Sequence, residues 1–131
     1  MSDPKEKKVH ASDLHFNHVL WKNQLSFYKD ELQLLQKRLD EVSAKNTSPE
    51  MKVEQGHLQD QIIIQKNELD EINHLLNLHE DSLAAIAKEN PIAMDHKLFH
   101  DHGSLHERMD SFVELYVVFK KELMRFISVW I

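Results

Sequence analysis

The chain has 131 residues, 41% of them hydrophobic and 29% charged, enough to bury one core, and it has no cysteine from which to build a disulfide or a thiolate metal site. Its formal net charge is −6 and its lysines and arginines alternate with acids rather than forming a stripe, which counts against nucleic acid as a partner. No apolar run approaches the roughly 18 residues of a membrane span, and the N-terminal MSDPKEKKVHAS has charge but no apolar stretch, so no membrane partner is expected and a bacterial cytoplasmic location is.

Two glycines (Gly56, Gly103) and three prolines (Pro4, Pro49, Pro91) are too few for the turns of a β-sandwich or an α/β fold, so the composition calls for long helices. Residues 1–11 read as a flexible tail. A first helix follows over residues 12–46, with Leu14, His18, Trp21, Leu25, Tyr28, Leu32, Leu35, Leu39 and Val42 at unbroken 4-3 spacing. It should stop at KNTSPE, where Ser48 is placed to cap the next helix and Pro49 suits its first turn.

The second helix, residues 48–89, carries Leu58, Ile62, Gln65, Leu69, Ile72, Leu76, His79, Leu83 and Ile86 on its seam and ends at ENP. The third, residues 95–130, carries Leu98, His102, Leu105, Met109, Phe112, Tyr116, Phe119, Leu123, Phe126 and Trp130. Its start is open between Asp95 and a later start capped by the box SLHE at Ser104 to Glu107. Short connections and matched lengths imply an all-α fold in one domain, residues 1–131, an antiparallel up-down-up three-helix bundle with coiled-coil-like heptad packing. The same heptads would also permit a hairpin that assembles with a second chain.

The segment HKLFHDHGSLHERMD places His96, His100, His102 and His106 close together, and the antiparallel register explains where the other histidines go. With the first connection near residue 47 and the second near 92 or 93, His18 lies level with Leu76 to His79, and His79 lies level with His106. His10, His15, His18, His74, His79, His96, His100, His102 and His106 then share one end, and His57 alone does not. Each helix places an imidazole on its own apolar stripe: His18, His79 and His102. Unpaired buried polar atoms cost on the order of 1–3 kcal/mol each. A metal, nearby carboxylates (Asp13, Glu80, Asp81, Glu107, Asp110) or water entering an open bundle end would each satisfy them, and a proton-sensing cluster is a further reading of the same residues.

Imidazole is a common metal ligand, and His15/His18, His102/His106 and His106/Asp110 are spaced to grip one ion from one helix face. Without thiolates such a site suits zinc, iron, copper, nickel or manganese; softness alone does not choose among them, and zinc or iron is expected first. Glu71-x-x-His74 has the spacing of a di-iron bundle ligand pair, but the only other such pair, Glu54-x-x-His57, is on the same helix, and His74 falls on a polar stripe. A phosphate loop, a nucleophile elbow and a thiol are all lacking, and whether the chain is an enzyme stays open.

LHFNHVLWKNQLSFYKDELQLLQKRLDEV and QIIIQKNELDEINHLLNLHE resemble a family of short, uncharacterised all-helical bacterial proteins, chiefly from Bacteroidetes. The shared pattern is Leu-His-Phe-x-His-x-x-Trp in the first helix and Asp-Glu-x-x-His with a following His-Glu in the second. It falls here on His15, His18, Trp21, Glu71, His74, His79 and Glu80. The resemblance implies a cytosolic helical protein and no particular activity. A looser likeness to hemerythrin-like bundles stops at three helices instead of four and at a different ligand order.

The sequence therefore points to a metal site at the histidine-rich end, with His18, His79 and His106 as first ligands and His15, His102 and Asp110 next. The competing class is an interaction or scaffold bundle with a pH-sensitive histidine cluster. Leu115 and Val118 lie off the seam of the third helix, so a homodimer through that helix is expected, and another protein partner is left open.

Overall fold

The computed structural model describes residues 4–89 and 95–131, and the side chains of 13–85, 88 and 100–131. It contains α1 (Pro4–Ala44), α2 (Pro49–Glu89) and α3 (Asp95–Trp130), each packed against the other two in an antiparallel three-helix bundle. No described helix is long and apolar enough to cross a membrane.

Residues 4–11, expected as a tail, belong to α1. Proline loses nothing at the start of a helix, and no glycine or proline interrupts the chain between Pro4 and Pro49. At the other end α1 stops at Ala44 because its last turn tightens: the Lys45 and Asn46 amides donate to the carbonyls of Val42 and Ser43, at 3.2 and 3.3 Å. The Asn46 side chain then donates to Val42 O and Trp130 O, both at 2.8 Å. Ser48 caps α2 as its sequence suggested, its hydroxyl accepting from the Met51 amide at 3.4 Å, with Pro49 as the first helical residue.

The second connection, around Pro91, lies outside the described residues. α3 begins at Asp95 and continues through Gly103 and Ser104, so the later start at Ser104 is not used. Nothing lies within 4 Å of where a Cβ on Gly103 would stand.

The chain forms two compact units, Met1–Leu25 with Glu71–Asp110, and Ser26–Asp70 with Ser111–Ile131. The second unit has a core of aliphatic and aromatic side chains, among them Leu39, Met51, Leu69, Phe112, Phe119 and Leu123. Its buried Tyr116 donates its hydroxyl to Glu31 Oε1 at 2.7 Å, and Lys120 Nζ donates to Glu31 Oε2 at 3.0 Å. Burial and that carboxylate push the Tyr116 phenol far above its ordinary range, so it stays a donor. Leu115 and Val118 are 62% and 55% exposed.

In the first unit the seam residues Leu14, Leu25, Ile72, Leu76, Leu83, Leu105 and Met109 are buried, and so are His18, His79 and His102. Trp21 in the first unit, and Tyr28 and Trp130 in the second, are half-buried. The side chains of Ile86 and Leu98, also expected on the seam, fall outside the description.

Candidate metal centre

Three helices each bring one imidazole to the same place in the first unit. His18 on α1 is 1% exposed, His79 on α2 is 6% and His102 on α3 is 8%, and each occupies the position its heptad would otherwise give to an aliphatic residue. One ring nitrogen from each of the three lies within 4.8 Å of the others. The ring centroids stand 4.9 Å apart for His18 and His79, 5.3 Å for His18 and His102, and 5.9 Å for His79 and His102.

A chain of hydrogen bonds orders two of the rings. His18 Nδ1 donates to Glu80 Oε2, and His15 Nδ1 donates to the other oxygen of the same carboxylate. His102 Nδ1 faces His18 Nε2 at 3.4 Å, and Asn17 Nδ2 donates to His102 Nε2 at 3.3 Å. His79 is different. Its Nε2 is buried and has no partner, at a cost on the order of 1–3 kcal/mol if nothing binds it. Ser43 Oγ, in the second unit, is the other buried side-chain atom in that condition among the described residues.

The electrostatics keep the His79 and His102 rings available as lone-pair donors. Burial lowers the His102 pKa to about 4, helped by the neighbouring His18, His79 and His106. Burial, then His18, also lowers that of His79, partly opposed by Asp101 and Glu80. For Glu80, burial pushes the carboxyl up, but the hydrogen bonds from His18 and His15, together with their charges, outweigh it and hold the group below its ordinary value. Neutral imidazoles backed by an ionised carboxylate are the state a divalent cation requires.

One pair of the donor set also has the right dimensions. Two nitrogens bound to one tetrahedral ion at about 2.0–2.1 Å stand roughly 3.3 Å apart. His18 Nε2 and His102 Nδ1, at 3.4 Å, already have that separation. Trp21 stacks on His102, with centroids 4.9 Å apart and planes at 21°, and covers that ring on one side. On another side His79 lines an open cleft of about 360 Å³, with Leu75, Leu78 and Leu105 as apolar walls and Ser82, Asp101, Ser104 and Arg108 as polar ones.

The remaining candidate residues sit outside this cluster. His106 is 56% exposed and pairs with Asp110, 68% exposed, at 3.3 Å, its ring edge-on to Trp21. The third ring of the cluster is therefore His102, which the sequence had ranked behind His106. His106 and Asp110 each follow a seam residue, Leu105 and Met109, by one position, which turns both away from the seam. His15 is exposed and reaches the cluster only through Glu80. His74 and Glu71 are exposed, as the polar stripe of α2 implied for His74. The side chains of His10 and His96 lie outside the description.

Asn17, which flanks the α1 seam with no spacing to mark it, was not singled out from sequence, whereas Glu80 was among the carboxylates expected to satisfy the seam imidazoles and partners two imidazoles at once. Glu80 had a signal, since it follows the seam residue His79 directly. Compared with known protein families, curated proteins and solved structures, the chain matches none.

Proposed function

We propose that His18, His79 and His102 bind one divalent transition metal, zinc or iron(II) first among the ions that an all-imidazole donor set suits, and that this binding is the function of the first unit. The observation that carries the reading is the buried, unpartnered His79 Nε2 beside two rings already ordered by hydrogen bonds. An ion takes up that lone pair and converts the cluster's cost into binding energy. Three protein ligands leave a fourth position, and the cleft that His79 lines is the route by which water or a small ligand would reach it. A fourth position held by exchangeable water permits Lewis-acid or redox chemistry, and a closed one makes the site structural.

The test is calorimetric titration of metal-stripped, untagged protein with Zn²⁺, Fe²⁺, Cu²⁺, Ni²⁺ and Mn²⁺. Binding far tighter than about millimolar, the −4 kcal/mol level, is expected for the wild type. It should be lost in His18→Ala, His79→Ala and His102→Ala and kept in His106→Ala. Millimolar or weaker affinity for every ion removes the metal. Tight binding that survives the first three substitutions removes the ligand assignment, with His15, His74 and Glu71 next in line.

A second reading is favoured by a separate observation. Leu115 and Val118 leave an apolar strip on α3 of the second unit, and a second copy of the chain seated there would make the protein a self-associating scaffold. Sedimentation distinguishes the two, because a monomer throughout the micromolar range removes the scaffold and leaves the metal reading untouched.

A further inference from the structure

Polarity runs in one direction along the hydrogen bonds that enter the cluster. Glu80, as a carboxylate, only accepts, so His18, in the neutral form a metal ligand must take, carries its proton on Nδ1 and presents a bare lone pair at Nε2. That lone pair faces His102 Nδ1 at 3.4 Å, which in the metal-free protein is the donor. His102 Nε2 then has the lone pair, and the Asn17 amide nitrogen, 3.3 Å away, donates to it. For neutral rings the order is Asn17 to His102 to His18 to Glu80.

A metal cannot enter this arrangement unchanged. The two nitrogens that face each other across 3.4 Å, His18 Nε2 and His102 Nδ1, are the pair an ion would bridge, and both must then offer lone pairs. His18 is ready. His102 has its proton on the wrong nitrogen, so Nδ1–H is lost to solvent and Nε2 gains a proton from solvent, with no net change in the charge of the ring. The new Nε2–H points at Asn17 and needs an acceptor there. An asparagine supplies one by rotating its amide half a turn, exchanging Nδ2 for Oδ1 at the same place.

Resting on the metal-binding reading above, we infer that Asn17 is a positioning residue that sets the His102 tautomer, its amide donating to Nε2 in the metal-free protein and accepting from it when Nδ1 holds the ion. It does for His102 what Glu80 does for His18, but reversibly. Glu80 holds its ring permanently in the ligating tautomer, whereas Asn17 is satisfied in either state. The third ring, His79, has no such partner at Nε2. The cluster thus combines one ring locked for binding, one switchable and one bare.

Two measurements test this on the full chain with Zn²⁺ as the probe. Nitrogen-15 NMR of histidine-labelled wild-type protein should place the His102 proton on Nδ1 without zinc and on Nε2 with it. Asn17→Asp, which can only accept when ionised, should tighten Zn²⁺ binding by about 10-fold or more, and Asn17→Leu should weaken it by a similar factor, the range over which ligand-orienting partners act. Zinc bound to wild type with the His102 proton still on Nδ1, or an Asn17→Asp affinity equal to wild type, overturns the role of Asn17 and leaves the metal site standing. Wild-type protein that takes up no zinc, iron, copper, nickel or manganese overturns both. The tautomer measurement needs no variant, so a misfolded substitution does not shield the inference.

Discussion

In the second unit the buried positions of α1, α2 and α3 are filled by leucine, isoleucine, valine, methionine and phenylalanine, with one buried glutamine and one buried tyrosine whose hydroxyl donates to Glu31. In the first unit the heptad stripes carry His18, His79 and His102 among their leucines, and one of those rings ends in a buried nitrogen that has no hydrogen-bond partner. Both units obey one packing rule, and they differ in what they do with polarity. Tyr116 is buried with a partner for its hydroxyl, the half-buried Glu31, whose charge the half-buried Lys120 neutralises. His79 is buried without one. A seam that tolerates an uncompensated nitrogen at this position gives up stability there, and stability given up in a well-packed core is a common mark of a site kept for binding.

The comparison is broken most forcefully from the apolar side. Leu123→Ala empties a fully buried seam position of the second unit and should cost about 2–5 kcal/mol in chemical denaturation, with metal affinity unchanged. Loss of metal affinity along with stability would mean that the chain unfolds as a whole before binding is tested. A variant that unfolds at its own midpoint and still binds as wild type would confirm that the second unit supplies packing alone.

Acid acts on the first unit. His102, at about pKa 4 in the fold, and His79, also lowered, are compared with an unfolded value near 6.5. The unfolded chain therefore binds protons that the native metal-free protein refuses, and stability falls with pH in that window. The loss begins as pH drops through about 6.5, continues to about 4, and levels off once His102 is protonated in both states. For His102 alone the whole excursion is worth about 3 kcal/mol at most. Denaturation midpoints of stripped protein between pH 7.5 and pH 4, compared with those of His79→Gln, His102→Gln, would show it (on the order of 2–3 kcal/mol). An unchanged slope in the double variant would remove the imidazoles as its cause.

How much of this was legible beforehand follows from periodicity. The seam positions of all three helices, the Ser48 cap and the gathering of histidines in one region are consequences of 4-3 spacing and antiparallel register, and both are written along the chain. Register along a helix axis is read more coarsely than position around it. That is why His106, one turn beyond His102 and level with His79 on paper, was ranked ahead of the ring that actually meets His18. The start of α1 was misjudged because a charged, polar segment looks like a tail, although nothing in it opposes a helix. Asn17 was illegible for another reason: its role depends on which nitrogen of His102 turns toward it, and ring orientation leaves no trace in residue spacing.

A smaller effect sharpens the contrast from the satisfied side. Tyr116→Phe removes the donor to Glu31 Oε1 while Lys120 still holds Oε2. The expected cost is about 1.5 kcal/mol, the low end for a hydrogen bond to a charged group, because the carboxylate is not left alone. Urea denaturation measures it. A loss well above 3 kcal/mol would show that Lys120 does not compensate and that the pair is not self-sufficient.

The most telling prediction has the opposite sign. His79→Leu places an aliphatic side chain where the α2 heptad calls for one and removes the buried nitrogen that has no partner. If the first unit gives up stability for binding, the metal-free variant should be more stable than metal-free wild type by about 1–2 kcal/mol, the desolvation cost recovered minus imperfect packing against His18 and His102. The same substitution should abolish tight metal binding, so that in the presence of zinc the order reverses and wild type becomes the more stable protein by mass action. Denaturation of both proteins with and without metal gives four numbers and one crossing. A His79→Leu protein less stable than wild type even without metal would mean that the ring is paid for by its packing alone, and the second unit would then be no better satisfied than the first.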